Sequence, residues 1–488
     1  MKQQIASGAS WMLLFKLIDR VLAVVSTVIL ARLLVPEDFG LVAMAMSVLA
    51  IIELATLFNF DVALIQRREL SRAHYDTAWT LGLILAVGGA ATVALLSYPA
   101  ALFYEEPRLV TVVLVLAGGW ALSGLENVGT VEFRRQLAFR REFSFLAARR
   151  VIAFVLTTVL ALSLQTYWAL VIGSILGKVA GVLLSYAMHP YRPRVCLKAT
   201  RELIGFSGWM LATNIVSVLQ AKAPHFVVGR VLGAPPLGIL TIATEIAQIA
   251  SSDLIAPINR AVLPGYSRIA HDLVLLRSLM LDVVAVVTLV AVPVSAGIAA
   301  VAQPLVRTML GETWMQAVPV IQVLAIASAA TAVASNFVYA YMALGLPRLL
   351  SLIQTVRMAL SFSFAIALTP AIGLIGAAFA ELAASVLILG ITVLPLFKRL
   401  NIPYVSYFSR SWRPILASAV MAYVVLLVVD GMRYGDTKEA ALALAAGVGV
   451  GVTLYPLLII LLWILSGRTE GAEAILYRRL RAAFANPA

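Results

Sequence analysis

Long, nearly uninterrupted apolar runs recur along the whole 488-residue sequence and constrain its fold more than any other feature. A helix that crosses the hydrocarbon core of a bilayer needs roughly 20 consecutive apolar residues. The runs are continuous and lack the alternating segments of a membrane barrel, so they predict spanning α-helices. We predict fourteen spans, with cores at 10–31, 40–63, 77–98, 109–128, 145–165, 167–188, 208–231, 237–260, 281–302, 316–343, 350–369, 372–396, 413–430 and 440–466.

The composition excludes water-soluble proteins. Hydrophobic residues make up 62% of the chain and charged residues only 12%, whereas an ordinary soluble domain has roughly 25% charged residues. Too little polar surface remains to cover a soluble globule of this size. We therefore predict an all-α polytopic membrane protein. Its first apolar run contains Lys16, Asp19 and Arg20 and is too long for a cleavable signal peptide, so it is predicted to be the first span.

The distribution of basic residues predicts the orientation. With the N-terminus in the cytoplasm, 21 Lys and Arg residues fall in the cytoplasmic loops and tail and 6 in the outside loops. This asymmetry is typical of the positive-inside rule and favours an N-in, C-in topology. It also accounts for most of the net charge of +13 without a nucleic-acid partner.

The polar residues do not indicate an enzyme or a cofactor site. Cys196 is the single cysteine of the sequence, and its four histidines are scattered without the spacing of metal ligands. No loop is long enough for a soluble catalytic domain. We therefore expect no catalytic residue, no metal and no cofactor.

An internal repeat relates the two halves of the chain at an offset of 198 residues. The matched positions include Trp11-Met12-Leu13 with Trp209-Met210-Leu211, Arg32 with Arg230, and Gly40 with Gly238. Six spans separate the copies, so both copies have the same orientation, as in transporters whose parallel lobes flank a central cavity. The predicted divisions are an N-terminal six-helix lobe at 1–198, a C-terminal six-helix lobe at 199–400, helices 13 and 14 at 401–470, and a cytoplasmic amphipathic tail at 471–488.

The segments SGASWMLLFKLIDR (7–20) and ARLLVPEDFGLVA (31–43) carry a family resemblance. Together with the span count, repeat and loop sizes, they resemble Wzx-type oligosaccharide flippases of the multidrug/oligosaccharidyl-lipid/polysaccharide exporter superfamily. The chain is most similar to the lipopolysaccharide or exopolysaccharide exporter branch, which includes colanic acid exporters. The resemblance implies two six-helix lobes around a V-shaped cationic cavity, with two extra C-terminal helices.

The same resemblance implies a function in the bacterial inner membrane. It implies translocation of undecaprenyl-diphosphate-linked oligosaccharide repeat units to the periplasmic leaflet by alternating access. The product would serve surface polysaccharide biosynthesis: O-antigen, capsule or exopolysaccharide. The expected partners are this polyprenyl-linked substrate, membrane lipid and polysaccharide polymerase machinery.

Ionisable residues inside the predicted spans are the candidate site residues, because charge in hydrocarbon is costly and is usually functional. The candidates for binding the diphosphate are Lys16, Arg20, Lys222 and Arg260. The candidates for ion coupling or gating are Asp19, Glu53, Asp61, His225, Glu245 and Asp253. All of these lie on spans 1, 2, 7 and 8, which the repeat relates. The alternative is structural: Asp19 with Lys16 or Arg20, and Asp253 with Arg260, would be internal ion pairs.

Two other functions stay open from the sequence. A cation-coupled multidrug exporter shares the architecture, but it would favour an acidic cavity, against the basic residues of spans 1 and 7. A membrane-embedded polysaccharide polymerase or glycosyltransferase is the second alternative. Enzymes of that kind usually need a large outside loop, and the outside loops here are short and hold scattered acidic residues.

Overall fold

The structure, a computed structural model, describes residues 2–56, 60–67, 70–204, 208–432, 435–469, 471–474 and 477. Its regular secondary structure is helical, and no strand occurs among these residues. The predicted all-α class is therefore confirmed. The chain divides into two compact units, Met1–Gly238 and Ile239–Ala488. This division does not test the lobe limits that the repeat predicts, at 1–198 and 199–400, and they stay a prediction.

The described part of the first unit contains ten complete helices, joined mostly by short loops, and a 3-10 turn at Val128–Thr130 precedes the sixth. The helices are α1 (Lys2–Leu33), α2 (Pro36–Thr56), α3 (Phe60–Gln66), α4 (Arg72–Tyr104), α5 (Arg108–Ser123), α6 (Val131–Arg135), α7 (Phe139–Leu164), α8 (Trp168–Met188), α9 (Thr200–Ile204) and α10 (Gly208–Leu232).

The limit between the units falls inside α11 (Ala234–Ala247), and a π-helical stretch at Ile249–Ile255 follows that helix. The second unit continues with α12 (Ala256–Ile269), α13 (Leu273–Ala300), α14 (Ala302–Met309), α15 (Ala317–Ala343), α16 (Pro347–Ile372), α17 (Leu374–Arg399), α18 (Tyr404–Gly431) and α19 (Thr437–Leu465). A 3-10 turn at Glu312–Trp314 lies between α14 and α15.

Many of these helices suit a membrane. Within the described residues, nine helices are long and apolar enough to cross one, and the number rises to eleven if each of two bent pairs is one span. The pairs are Arg108–Ser123 with Val128–Arg135, bent by 61°, and Ala234–Ala247 with Ile249–Ile269, bent by 43°. The chain is thus a multi-pass helical membrane protein. The three other predicted spans fall on α1, α2 and α10, and the count of fourteen stays a prediction.

Small residues let α8 approach α7 closely. Gly173, Gly177 and Gly181 recur every four residues and therefore share one face of α8. A Cβ atom at Gly173 would overlap Thr157 of α7, and one at Gly177 would lie 2.9 Å from the Cβ of Ala153. This small-xxx-small pattern is typical of helix contacts in membranes, where close backbone approach strengthens van der Waals packing.

A second close approach joins two residues that the repeat aligns. Gly40 lies near the start of α2, and Gly238 lies near the start of α11. A Cβ atom at Gly40 would overlap the backbone of Ala234, and one at Gly238 would overlap the carbonyl of Pro36. Both contacts lie within the first unit. Glycine is therefore required at both positions, because the two helix starts touch backbone to backbone.

A buried arginine fixes the end of the chain to α18. The side chain of Arg413 has no exposed surface and donates hydrogen bonds to Ser466 Oγ at 3.1 Å and Thr469 Oγ1 at 3.0 Å. It also forms an ion pair with Glu473 at 3.5 Å, and that carboxylate is only 7% exposed. Glu473 lies in the predicted amphipathic tail (471–488), whose residues 475, 476 and 478–488 lie outside the described residues.

We expect Arg413→Ala to destabilise the second unit strongly. Removing one partner of a buried pair leaves an uncompensated charge and costs about 3–5 kcal/mol. Unfolding of the purified protein in mixed detergent micelles measures this cost. Arg348→Ala, which removes an exposed arginine at the start of α16, is the matched control and should leave the midpoint unchanged. The double variant Arg413→Met/Glu473→Leu should regain much of the loss, and equal unfolding of Arg413→Ala and wild type would contradict the pair's role.

Candidate functional site

Helix α1 carries three of the predicted site residues and packs along α7. The rings of Trp11 and Phe143 lie 5.0 Å apart, and two turns later Asp19 pairs with Arg150 Nε at 2.7 Å. The structural alternative for Asp19 was an ion pair within α1. The structure shows a partner on the neighbouring helix, and this pair connects α1 with α7. Whether Asp19 also serves ion coupling stays a prediction.

The other side of α1 is open. Leu13, Leu17 and Val21 are each more than half exposed, and Lys16 is exposed beside them. Residues spaced by three and four share one helical face, so these side chains form a single stripe. Arg20, four residues after Lys16, is partly buried. The structure thus places Lys16 on an accessible face of α1, as a binding role requires.

Helix α10 contributes a second basic group to the first unit. Lys222 is partly buried, and His225 follows one turn later, with Nδ1 buried and no hydrogen-bond partner among the described residues. Helix α10 packs on α2. Three of the four basic candidates, Lys16, Arg20 and Lys222, therefore belong to the first unit.

The remaining candidates lie elsewhere. Arg260, on α12, and Glu245, on α11, are exposed residues of the second unit. The side chains of Glu53, Asp61 and Asp253 lie outside the described residues.

The sequence reasoning missed Arg149 and Arg150, which lie inside the predicted span 145–165. The rule that marked Lys16 as a candidate, an ionisable residue within an apolar run, applies to both. Arg150 pairs with Asp19, and Arg149 Nη1 pairs with Glu126 at 3.2 Å. Consecutive residues point to different sides of a helix. Arg150 of α7 therefore contacts α1, and Arg149 contacts the loop after α5.

Arg149 lines a cavity of about 480 Å³ within the first unit. The cavity lies between α4, α5, the start of α7 and the loop 126–131. Trp79 and Trp120 contribute aromatic surface, and Glu142 pairs with Arg134 in the same lining. Lys178 of α8 lies 4.2 Å from the centre of the Trp120 ring. Aromatic rings and compensated charges therefore surround a space of ligand size.

Asn127 holds the loop that forms one wall of this cavity. Its backbone N–H donates to Ser185 Oγ at 2.9 Å, and its Nδ2 donates to the carbonyls of Tyr191 at 2.8 Å and His189 at 3.3 Å. Its Oδ1 accepts from Gly129 N at 2.9 Å. Because these bonds use both N–H groups and the oxygen of the side-chain amide, the wall is held in place by the protein itself.

The adjoining loops are joined by charged and polar contacts. Arg67 bonds to the Glu202 carboxylate, which lies 3.3 Å from His74 Nε2, and Arg67 lowers the pKa of Glu202. Tyr191 donates to Asp76, and burial, with the nearby Asp76 carboxylate, raises the pKa of this tyrosine. Its hydroxyl therefore stays a donor at neutral pH. The loops before α4 and after α8 thus meet beside the cavity.

Two characterised relatives cover much of the chain. It is 25% identical to the succinoglycan biosynthesis transport protein ExoT of Rhizobium meliloti over 475 residues, which span 94% of this chain and 93% of that protein. It is also 25% identical to the lipopolysaccharide biosynthesis protein WzxC of Escherichia coli over 334 residues, or 67% of each chain.

The fold is that of a solved flippase. The structure titled lipid II flippase MurJ, in an inward closed conformation, matches with a TM-score of 0.74 and 14% identity. The match covers 92% of this chain and 99% of that one.

A family model assigns the chain directly. The model described as "Polysaccharide biosynthesis protein" matches residues 29–319, more than half of the sequence. This match and the two relatives confirm the resemblance that segments 7–20 and 31–43 suggested. The chain therefore belongs to the polysaccharide biosynthesis protein family.

Proposed function

We propose that this protein is a flippase that moves undecaprenyl-diphosphate-linked oligosaccharide units across the bacterial inner membrane for surface polysaccharide synthesis. The names of the relatives support transport in polysaccharide synthesis, and the fold shared with a lipid II flippase supports a lipid-linked substrate. The protein acts as a transporter and not as an enzyme. A polysaccharide polymerase that uses the delivered units is the expected partner.

The observation that carries this proposal is that one basic residue on α1 and one on α10 lack ion pairs with the described residues. Asp19, Arg357 and Arg413 each form an ion pair with a neighbouring segment. Lys16 and Lys222 form none with any described residue. An ammonium group without a carboxylate partner in a spanning helix is costly, so it is retained where an anion binds. Lys and Arg suit phosphate oxygens, and the diphosphate of the substrate supplies them.

We also propose fourteen spans with both termini in the cytoplasm. Loop contacts support this alternation, because each joins loops that the prediction assigns to the same side. On the cytoplasmic side the contacts are Arg67 with Glu202, Arg72 with the Arg192 carbonyl, and Arg277 with the Asn401 carbonyl. On the periplasmic side they are Arg108 with Glu37, Arg230 with Glu105, and Arg307 with the Gly435 carbonyl.

In this topology the contact between Gly40 and Gly238 lies at the periplasmic side. It brings the second helix of one repeat against the second helix of the other. We propose that these helix starts separate and meet again during transport. Alternating access then consists of breaking and remaking this backbone contact.

We expect Lys16→Ala and Arg20→Ala to lower polymer output at least about tenfold, because each removes a charged hydrogen bond to phosphate. The measurement is made in a strain that lacks this protein and carries each variant on a plasmid. Surface polymer and accumulated lipid-linked oligosaccharide are quantified together. The double variant should accumulate the lipid-linked unit as the empty strain does.

Lys198→Ala is the matched control, because Lys198 is an exposed residue of the loop after α8. It should restore polymer fully. Normal polymer in cells with Lys16→Ala and Arg20→Ala, at equal protein levels, would refute the binding assignment. A deletion strain that becomes drug-sensitive but accumulates no lipid-linked sugar would favour the multidrug exporter instead.

Exchanging the charges of Asp19 and Arg150 distinguishes a packing role of Asp19 from a role in ion coupling. If Asp19 serves only to hold α1 on α7, Asp19→Ala should reduce transport and the swap Asp19→Arg/Arg150→Asp should restore it. Thermal unfolding of each purified variant is measured as well, so that lost transport is distinguished from lost folding. Restored polymer in the swap would exclude ion coupling by this carboxylate, and failure at wild-type protein levels would support it.

Gly40→Ala and Gly238→Ala should each arrest transport. The added methyl group overlaps backbone of the facing helix start, so the closed contact cannot form. Gly118→Ala is the matched control, because a Cβ atom there meets nothing within 4 Å. Polymer output and the elution profile of the purified protein are measured for all three. Wild-type transport by Gly40→Ala would show that this contact does not belong to the transport cycle.

A further inference from the structure

The 480 Å³ cavity of the first unit is separate from the predicted diphosphate ligands. None of Lys16, Arg20 and Lys222 lines it. Its volume falls in the range of small-ligand sites, roughly 300–1,000 Å³. Its lining comes from α4, α5, the loop 126–131, α6 and the start of α7, beside the loops that we assign to the cytoplasm.

The charges of the cavity cancel. Its described lining contains two arginines and two glutamates, paired as Arg149 with Glu126 and Arg134 with Glu142. A phosphate would have to compete with both carboxylates, which repel it. An uncharged ligand leaves the pairs in place and meets guanidinium donors beside carboxylate acceptors. Hydroxyl groups, which both donate and accept, match that arrangement.

The aromatic wall suits the same kind of ligand. Trp79 and Trp120 line the cavity, and Trp120 Nε1 is buried with no hydrogen-bond partner among the described residues. A buried donor without an acceptor costs free energy, and a ligand hydroxyl would satisfy it. The C–H face of a sugar ring is apolar with a slight positive charge, which matches the negative face of an indole.

The walls are held before any ligand binds. Asn127 fixes the loop through four hydrogen bonds, and the Trp120 ring is covered by Lys178. Preformed walls reduce the entropy lost on binding.

We propose that this cavity binds an uncharged sugar unit of the oligosaccharide, at a site distinct from the diphosphate ligands. This rests on the proposed function, which supplies the sugar as part of the lipid-linked substrate. Helix α7 separates the two sites: Arg149 lines the cavity, and the next residue, Arg150, pairs with α1. A substrate bound to both sites would be recognised by its sugar and by its diphosphate independently.

Binding to the purified full-length protein tests this inference with three probes. The first is the lipid-linked oligosaccharide extracted from cells that lack the protein. The second is the oligosaccharide that mild acid releases from it, and the third is undecaprenyl diphosphate. The cavity variants are Trp120→Leu and the pair Glu126→Gln/Arg149→Gln. Trp412→Leu, in the second unit, is the matched control, and thermal unfolding is measured for every variant.

Both cavity variants should weaken binding of the released oligosaccharide about tenfold, as the loss of a stacked ring or of paired polar contacts predicts. Their affinity for undecaprenyl diphosphate and the behaviour of Trp412→Leu should stay at the wild-type level. Lys16→Ala should show the reverse pattern, with weaker diphosphate binding and unchanged sugar binding.

The outcomes separate the two proposals. Wild-type affinity of both folded cavity variants for the released sugar would overturn the sugar site and leave the flippase standing. If the released oligosaccharide does not bind the wild-type protein, the sugar site is likewise overturned and the flippase proposal stands. Retained diphosphate binding in Lys16→Ala, with lost sugar binding in the cavity variants, would overturn the diphosphate assignment and support the sugar site. A wild type that binds none of the three probes would overturn both.

Discussion

The cost of an ionised side chain in hydrocarbon, about 2.5–3.5 kcal/mol at the centre of a spanning helix, governs the placement of charge in this chain. The structure offsets it by pairing charges between segments that pack together: Asp19 with Arg150, Arg357 with Glu381, and Arg413 with Glu473. Each pair joins two elements, so charge that would oppose insertion fixes helix packing. Lys16 and Lys222 depart from this rule among the described residues, and the proposed diphosphate site rests on that departure.

The apolar runs and the repeat predicted much of the fold because both depend on local chemistry. A run of about 20 apolar residues can satisfy its backbone in a bilayer only as a helix, and all nine long apolar helices coincide with predicted spans. The alignment of Gly40 with Gly238 marked two positions where backbones touch, although the repeat alone did not indicate that the two glycines face each other. That contact depends on how separate segments pack, which no offset in the sequence reveals.

The partners of charged residues could not be predicted for the same reason. Spacing within α1 placed Lys16, Asp19 and Arg20 on one face and suggested that they pair with one another. The structure pairs Asp19 with Arg150, which is 131 positions away. The cavity was equally hidden, because its lining combines parts of α4, α5 and α7 with a loop held by Asn127. In the sequence, Asn127 is an ordinary loop residue between two helices. Its role in fixing the cavity wall becomes visible only when the structure places Ser185 and Tyr191 within hydrogen-bond distance of it.

A flippase must hold a substrate with two unlike ends, a hydrophilic sugar and a charged diphosphate on a lipid. One strongly cationic site would bind diphosphates whatever sugar they carry, and one neutral site would bind sugars without their lipid. In our proposal the first unit keeps these chemistries apart: Lys16 on α1 and Lys222 on α10 pair with no carboxylate among the described residues, while the arginines of the cavity are each paired with a glutamate. Because α7 contacts both α1 and the cavity, through Arg150 and Arg149, a movement of this helix would alter both sites together. Under this proposal, recognition of the sugar is linked to release of the diphosphate without direct contact between the two sites.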